Sequence, residues 1–164
     1  MVSARRLSAL PLLATFGLVI AGCSTTVPME PAADANDPAC AEVMVRLPGT
    51  VDGQDRLWTD AQATAAWGES GASAVLLTCG VTPPGPTTLP CQSVNSVDWI
   101  IDDSDAPRYR VTTFGRTPAV EIYLDNEVVS SASVLERLSG PVSLIPVEGV
   151  GCLDRPSGED DAQG

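Results

Sequence analysis

Val97-Asp98-Trp99-Ile100-Ile101-Asp102 is the clearest strand pattern in this chain. Its apolar residues at every second position are typical of a strand with one buried face. Residues 109–114 and 119–124 predict two more strands, and the turn-forming stretches 103–107 and 115–118 separate the three. Successive strands joined by short turns pair antiparallel, so the second half of the chain predicts a meander sheet.

Two helices are predicted, one before and one after these strands. The first begins at Asp37-Pro38, an N-cap followed by a first-turn proline. Its apolar residues have the i, i+3, i+4, i+7 spacing of an amphipathic helix: Cys40, Val43, Met44 and Leu47. The second begins at Ser130 or Ser131 and stops at Gly140-Pro141. Its apolar residues are Val134, Leu135 and Leu138. Residues 142–147 predict a final apolar strand.

One hairpin is predicted earlier in the chain. Residues 63–67 and 74–79 flank the turn Gly68-Glu69-Ser70-Gly71, although the alanine-rich residues 61–66 also fit a helix. The length of 164 residues suits one domain. The predicted fold is α+β: a small antiparallel meander sheet covered on one face by two helices and stapled by two disulfides.

The first 22 residues have the parts of a secretory signal peptide. Arg5 and Arg6 form the basic start, and the apolar residues 7–20 are too few for a spanning helix, which needs about 20. This stretch ends at Ile20-Ala21-Gly22-Cys23, which resembles the lipobox of bacterial lipoproteins. We therefore expect Cys23 to be acylated and to anchor the protein to the outer face of the cytoplasmic membrane.

Two polar segments frame the expected body. Residues 23–36 are rich in Thr, Pro, Ala and acid without apolar periodicity, which predicts a flexible tether. Residues 154–164 are acidic and predict a disordered tail. The folded domain is then expected to be residues 37–153.

Cysteine usage indicates an oxidising compartment. Once Cys23 carries lipid, four cysteines remain, and four in an exported domain predict two disulfides. Three connectivities are possible. We favour Cys79 with Cys91, which enclose a short proline-rich loop, and Cys40 with Cys152, which would tie the start of the body to its end.

Composition and charge exclude several functions. The chain has no His and no Lys, so it has no imidazole base, no His-ligated zinc and no Schiff-base lysine. Its net charge of −12 becomes −14 when residues 1–22 leave with their two arginines and no acid. Such a body is repelled by phosphate backbones and anionic lipids. We expect no nucleic-acid partner, no cofactor or metal, and membrane contact only where the chain is tied to the lipid.

Acidic residues are one candidate for a ligand surface. Asp102, Asp103 and Asp105, with Asp98 nearby, could raise one another's pKa and supply an acid/base pair, or could bind Ca²⁺. The sequence Asp-Asp-Ser-Asp before a proline is more typical of a solvated turn, and it lacks EF-hand spacing.

Two aromatic residues and one arginine are the other candidates. Trp67 precedes a turn and could stack on a sugar or peptide. Trp99 is in phase with the apolar positions of its strand, which favours core packing. Arg116 lies in the turn Gly115-Arg116-Thr117-Pro118 and could bind an anionic group or pair with a surface acid.

Four motifs in combination resemble a family of actinobacterial secreted lipoproteins known as domain of unknown function 3515. The motifs are Ala65-Ala66-Trp67-Gly68, Leu77-Thr78-Cys79-Gly80-Val81 with Pro83-Pro84, Val97-Asp98-Trp99, and Phe114-Gly115-Arg116-Thr117-Pro118-Ala119-Val120. The resemblance implies export to an actinobacterial cell envelope and supplies no activity or ligand. We expect a non-catalytic envelope module that binds a protein or wall component; the alternative is a carboxylate-dependent hydrolase acting on cell-wall glycan.

Overall fold

The computed structural model describes residues 26–149 and 151–152 of the chain. Its elements in chain order are α1 (Pro38–Met44), β1 (Thr50–Val51), β2 (Gln54–Leu57), β3 (Thr64–Glu69), β4 (Ala72–Val81), β5 (Cys91–Val94), β6 (Val97–Asp102), β7 (Arg108–Phe114), β8 (Ala119–Asp125) and α2 (Ser131–Val142). The predicted signal peptide, Cys23 and the predicted acidic tail lie outside the described residues. Within that described part, no helix is long and apolar enough to cross a membrane.

All eight strands form one sheet in the order β1-β2-β3-β4-β8-β7-β6-β5. It consists of two antiparallel meanders, β1 to β4 and β5 to β8, which are joined side by side through β4 and β8. At this junction Leu77 of β4 pairs with Ile122 of β8, and both side chains are fully buried. The predicted α+β fold with an antiparallel meander sheet is confirmed.

Both helices begin where the sequence predicts. The Asp37 carboxylate accepts a hydrogen bond from the Ala39 amide at 2.7 Å, which caps α1. The Ser130 hydroxyl oxygen caps α2 by accepting from the Ser133 amide. The two helices contact each other, and α2 also contacts β1 and β5. The predicted helical layer on one face of the sheet is therefore present.

The end of α2 differs from the prediction. The helix does not stop at Gly140-Pro141 but continues to Val142, because the fully buried Val142 extends the apolar stripe of the helix. The predicted final strand over residues 142–147 is wrong for the same reason. Past the helix, Val147 forms only an isolated antiparallel bridge with Arg116.

Three short strands, β1, β2 and β5, have no counterpart in the sequence prediction. The residues of β2 and β5 are exposed or half-buried, so apolar alternation is weak in both. The alternative helix over residues 61–66 is wrong, because Ala65 and Ala66 are buried within β3. The predicted hairpin of β3 and β4 is confirmed.

Two tryptophans join the sheet to the helical layer. Trp67 of β3 and Trp99 of β6 have no exposed surface. The Trp67 indole N–H donates to the Pro48 carbonyl after α1 at 3.0 Å, and the Trp99 indole N–H donates to the Ser139 hydroxyl of α2 at 3.1 Å. Each ring fills the core and satisfies its one polar group at the helical layer.

Two disulfides form among the four predicted cysteines, but the favoured pairing of these cysteines is wrong. Cys40 is bonded to Cys79, and Cys91 to Cys152, each with Cα atoms 5.6 Å apart. In the sheet, β4 with Cys79 and β5 with Cys91 are four strand spacings apart. At about 4.8 Å per spacing this is about 19 Å, which no disulfide can span. Proximity along the chain therefore does not decide the pairing.

The segment before α1 is part of the folded body. The Val27 amide donates to the Trp58 carbonyl at 2.7 Å, and the Asp34 amide donates to the Gly80 carbonyl at 3.0 Å. Ala35, between these contacts and α1, is buried. The body thus begins near Val27 rather than at Asp37, and the prediction of a flexible tether through residue 36 extends too far.

Candidate functional site

The acidic cluster lies in the turn between β6 and β7. Asp102 accepts a hydrogen bond from the Ser104 amide at 3.0 Å, and Asp105 accepts one from the Tyr123 hydroxyl. Asp103 is exposed. Among the described residues no group of three or more His, Cys, Asp or Glu is arranged to hold a metal ion. The turn interpretation of this segment is confirmed.

Hydrogen bonds to the acidic residues of this turn shift the pKa values of Asp102 in β6 and Tyr123 in β8. The pKa of Asp102 is lowered, chiefly by the hydrogen bond from the Ser104 side chain. This is opposite to the raised pKa that a general acid requires at neutral pH. The pKa of Tyr123 is raised, chiefly by its hydrogen bond to Asp105. The hydrolase alternative stays a prediction, and the direction of the Asp102 shift does not favour it.

Trp67 and Arg116 do not form a ligand surface. Trp67 is fully buried, so the expectation that it stacks on a ligand is wrong. Arg116 is only 4% exposed. Its guanidinium donates to the carbonyls of Ser96 at 2.7 Å, Ser143 at 3.2 Å, and Ile145. Among the described residues Arg116 forms no ion pair with a surface acid; its guanidinium joins its own turn to Ser96 and to residues 143–145.

Burial and a neighbouring negative charge shift the pKa of Arg116 in opposite directions. Burial lowers the pKa of Arg116, and the nearby Asp98 raises it. Asp98 in turn accepts from the Cys152 amide at 2.9 Å and from the Ser93 hydroxyl. This network ties the chain after α2 to the β5–β6 hairpin, so the predicted acid Asp98 has a structural role here.

A cleft of about 400 Å³ lies between α2 and the strands β5, β6 and β7. We call it the α2 cleft. Its apolar lining residues are Val94, Ile101, Val111, Ala132 and Leu135. Its polar lining residues are Gln92, Tyr109, Asn126, Ser131 and Glu136. Its volume lies within the range of ligand sites, and its lining is half apolar and half polar.

Some polar groups of the α2 cleft are already used, and others remain available. The Asn126 side-chain oxygen accepts from the Ser131 amide at 3.3 Å at the start of α2. The side chains of Gln92, Tyr109 and Glu136 make no hydrogen bond or ion pair to the part of the chain that the structure describes. An amide, a hydroxyl and a carboxylate can therefore bind a ligand without breaking a contact among the described residues.

The α2 cleft opens beside an edge strand. β5 is the last strand of the sheet, and Gln92 and Val94 of β5 line the cleft. Cys91 and Ser93 alternate with them, so they point to the opposite face. The Cys91–Cys152 disulfide is on that opposite face and does not cover the side of β5 that faces the cleft. An edge strand can pair with an extended peptide.

Trp58 is a second surface feature, and it is not among the candidate residues predicted from the sequence. It is 74% exposed and lines a pocket of about 530 Å³ with Arg56, Leu57, Thr59 and Thr64. The Thr64 hydroxyl lies 2.9 Å from the Thr59 hydroxyl, and burial lowers the pKa of Arg56. The signal in the sequence is that the neighbours of Trp58 are mostly polar, unlike those of Trp99.

The fold and its two disulfides define a small α+β domain suited to an oxidising, extracytoplasmic environment. The chain belongs to the family described as protein of unknown function (DUF3515), whose sequence model matches residues 13–148. Neither the comparison with curated proteins nor the comparison with solved structures found a match.

Proposed function

We propose that this protein is a lipid-anchored, extracytoplasmic module of an actinobacterial cell envelope, and that it binds a peptide segment of a partner protein in the α2 cleft. The observation that supports the binding role is the α2 cleft, which has an apolar floor and three polar side chains without a partner among the described residues, beside an edge strand.

Two observations support the anchored location. The disulfides suit an exported protein. The family match starts at residue 13, inside the apolar stretch of the expected signal, so Ile20-Ala21-Gly22-Cys23 lies within the matched range. The actinobacterial source rests on the sequence resemblance and on the lysine-free composition.

The chemistry of the α2 cleft and the charge of the protein specify the partner. An apolar side chain of the partner would fill the floor, its backbone would pair with β5, and a basic group would reach Glu136. The net charge of −14 expected after removal of residues 1–22 would attract a basic segment from a distance. The partner is therefore a protein with an exposed, extended segment that carries apolar and basic residues.

Mass spectrometry of the protein purified from its native membrane tests the anchor. The expected species begins at Cys23 and carries acyl chains, and a Cys23→Ser variant should lack the lipid and stay at the precursor length. A native protein that still begins at Met1, without lipid, would overturn the location.

Photo-crosslinking in intact cells tests the cleft. A photoreactive residue at Ala132, which is exposed and lines the α2 cleft, should capture one protein. The same residue at Leu144, exposed beyond the other end of α2, is the control and should not capture it. Charge reversal by Glu136→Arg should reduce capture about tenfold, whereas Glu127→Arg, the same change at an exposed site outside the cleft lining, should not. Equal capture from Ala132 and Leu144 would overturn the binding site.

A further inference from the structure

Trp58 differs from the other two tryptophans of the chain in being exposed. Trp67 and Trp99 have no exposed surface, whereas Trp58 is 74% exposed. Single exposed apolar side chains are common on proteins and need no function by themselves. What distinguishes Trp58 is its position relative to the expected lipid attachment site.

The chain that leads to the lipid is attached to the body at Trp58. The Val27 amide donates to the Trp58 carbonyl at 2.7 Å, and Val27 forms a parallel bridge with Thr59. The Met29 amide then donates to the Asp60 carboxylate at 2.8 Å. These contacts fix residues 27–29 alongside residues 58–60.

The distance from the lipid to this attachment point is short. Cys23 precedes Val27 by four residues, which span about 14 Å when fully extended. The head-group region of one leaflet is about 5–8 Å thick. Since acyl chains on Cys23 place that residue at the membrane surface, Trp58 is within reach of the head groups.

We infer that Trp58, with the neighbouring exposed Pro28, rests in the interfacial region of the bilayer and orients the body on the membrane. This inference rests on the proposed acylation of Cys23. Tryptophan favours this depth because its ring is apolar and its N–H can bond to head groups or water. The covalent anchor keeps Trp58 close to the bilayer and so raises its effective concentration there. A contact that would be weak for the unanchored protein is therefore populated.

The charge of the protein limits the contact to this patch. A net charge of −14 repels anionic lipid, and Asp60 and Glu30 are exposed near Trp58. The contact therefore depends on the indole ring. It forms in zwitterionic vesicles, weakens when anionic lipid is added at low salt, and recovers at high salt because the repulsion is screened.

Quenching by brominated lipid tests the inference. The lipidated full-length protein is reconstituted into vesicles of brominated phosphatidylcholine, and tryptophan emission is compared with that in vesicles without bromine. Wild-type protein should lose the emission contributed by Trp58. Trp58→Phe is the matched control: its remaining emission comes from the buried Trp67 and Trp99 and should not change between the two vesicles.

A protein with a lengthened tether provides a second test. Twelve Gly/Ser residues inserted after Ser24 have a root-mean-square span of about 20 Å, which releases the body from the membrane without altering it. Quenching of Trp58 should fall at least twofold. If the protein floats with the vesicles but wild type and Trp58→Phe are quenched equally, the proposed membrane contact of Trp58 is wrong. The proposed lipid anchor is not affected by this outcome. Protein that does not float and has no lipid on Cys23 by mass spectrometry would overturn both.

Discussion

The indole N–H of Trp99 donates to the hydroxyl of Ser139 at 3.1 Å, and neither side chain has any exposed surface. This hydrogen bond links the middle of α2 to β6, across the apolar layer between them. A polar pair in such a place fixes the position of the helix, because an indole N–H without a partner is costly in the core.

Replacing Ser139 with Ala should therefore lower the free energy of unfolding by about 1–3 kcal/mol, since the Trp99 N–H stays buried without an acceptor. Urea denaturation followed by far-ultraviolet circular dichroism measures this change. Ser133→Ala is the matched control on the same helix, because the Ser133 hydroxyl makes no hydrogen bond to any residue in the described part of the chain. Equal effects of the two substitutions would contradict the role of the pair.

Replacing Arg116 should destabilise the protein, because its guanidinium donates to three carbonyls on two other segments of the chain. Arg116→Lys keeps the charge but offers a single point of contact, and it should lower the free energy of unfolding by about 1–3 kcal/mol. Arg116→Met should cost more, since it leaves all three carbonyls without this donor. Arg137→Lys, on the exposed side of α2, should change stability by less than about 0.5 kcal/mol. The measurement is again the urea denaturation curve.

The two disulfides should be reduced in a fixed order. Cys91 is exposed and Cys152 half-buried, whereas Cys40 and Cys79 have no exposed surface. A reductant can therefore attack Cys91–Cys152 in the folded protein, but it reaches Cys40–Cys79 only after the core opens. Graded reduction with a phosphine, alkylation and peptide mass spectrometry should find alkylated Cys91 and Cys152 first. Simultaneous alkylation of all four cysteines would contradict this order.

Strands and helices with one buried face could be predicted from the sequence, and the short strands β1, β2 and β5 could not. β6, β7 and β8 alternate apolar residues, and α1 and α2 have helical stripes, so all five were predicted. β5 is exposed along most of its length and has no pattern to detect. The disulfide pairing depended on the order of strands in the sheet, which is a long-range property that spacing along the chain does not contain.

The α2 cleft could not be predicted because its lining comes from separate parts of the chain. Gln92, Tyr109 and Glu136 belong to β5, β7 and α2, and none of them is part of a motif. The prediction that Trp67 and Arg116 bind a ligand is wrong. Residue type and position near a turn do not indicate whether a side chain is buried. Both are core residues whose polar atoms bond to backbone carbonyls.

Tyr123 should titrate at higher pH than an ordinary tyrosine, whose pKa is 10.0, because its hydroxyl donates to Asp105. A raised pKa means that the neutral form is favoured in the folded state. The contribution of this bond to stability is therefore complete below pH 10 and is lost as the pH rises through the pKa of Tyr123 in the folded protein. The Tyr109→Phe background leaves Tyr123 as the only tyrosine, so absorbance at high pH reports it alone. Adding Asp105→Asn should move the titration to lower pH; an unchanged curve would contradict the assignment.

Gly80 holds the segment before α1 against the sheet, and this position needs glycine for two reasons. Its φ is +97°, which residues with a Cβ rarely adopt, and a Cβ there would lie 2.5 Å from the Ala35 nitrogen and the Asp34 carbonyl carbon. Both neighbours are backbone atoms and cannot rotate away. The Asp34 amide also donates to the Gly80 carbonyl at 3.0 Å. Any movement of this segment away from β4 therefore weakens this hydrogen bond.

Gly80→Ala should therefore lower the free energy of unfolding by about 2–4 kcal/mol and detach the segment around residue 34 from β4. Gly85→Ala is the matched control, because Gly85 has open space around it and no positive φ. Urea denaturation measures the stability, and limited proteolysis measures the release: cleavage between residues 27 and 36 should be faster in Gly80→Ala and unchanged in Gly85→Ala. Equal cleavage in both variants would mean that this segment is not held at Gly80.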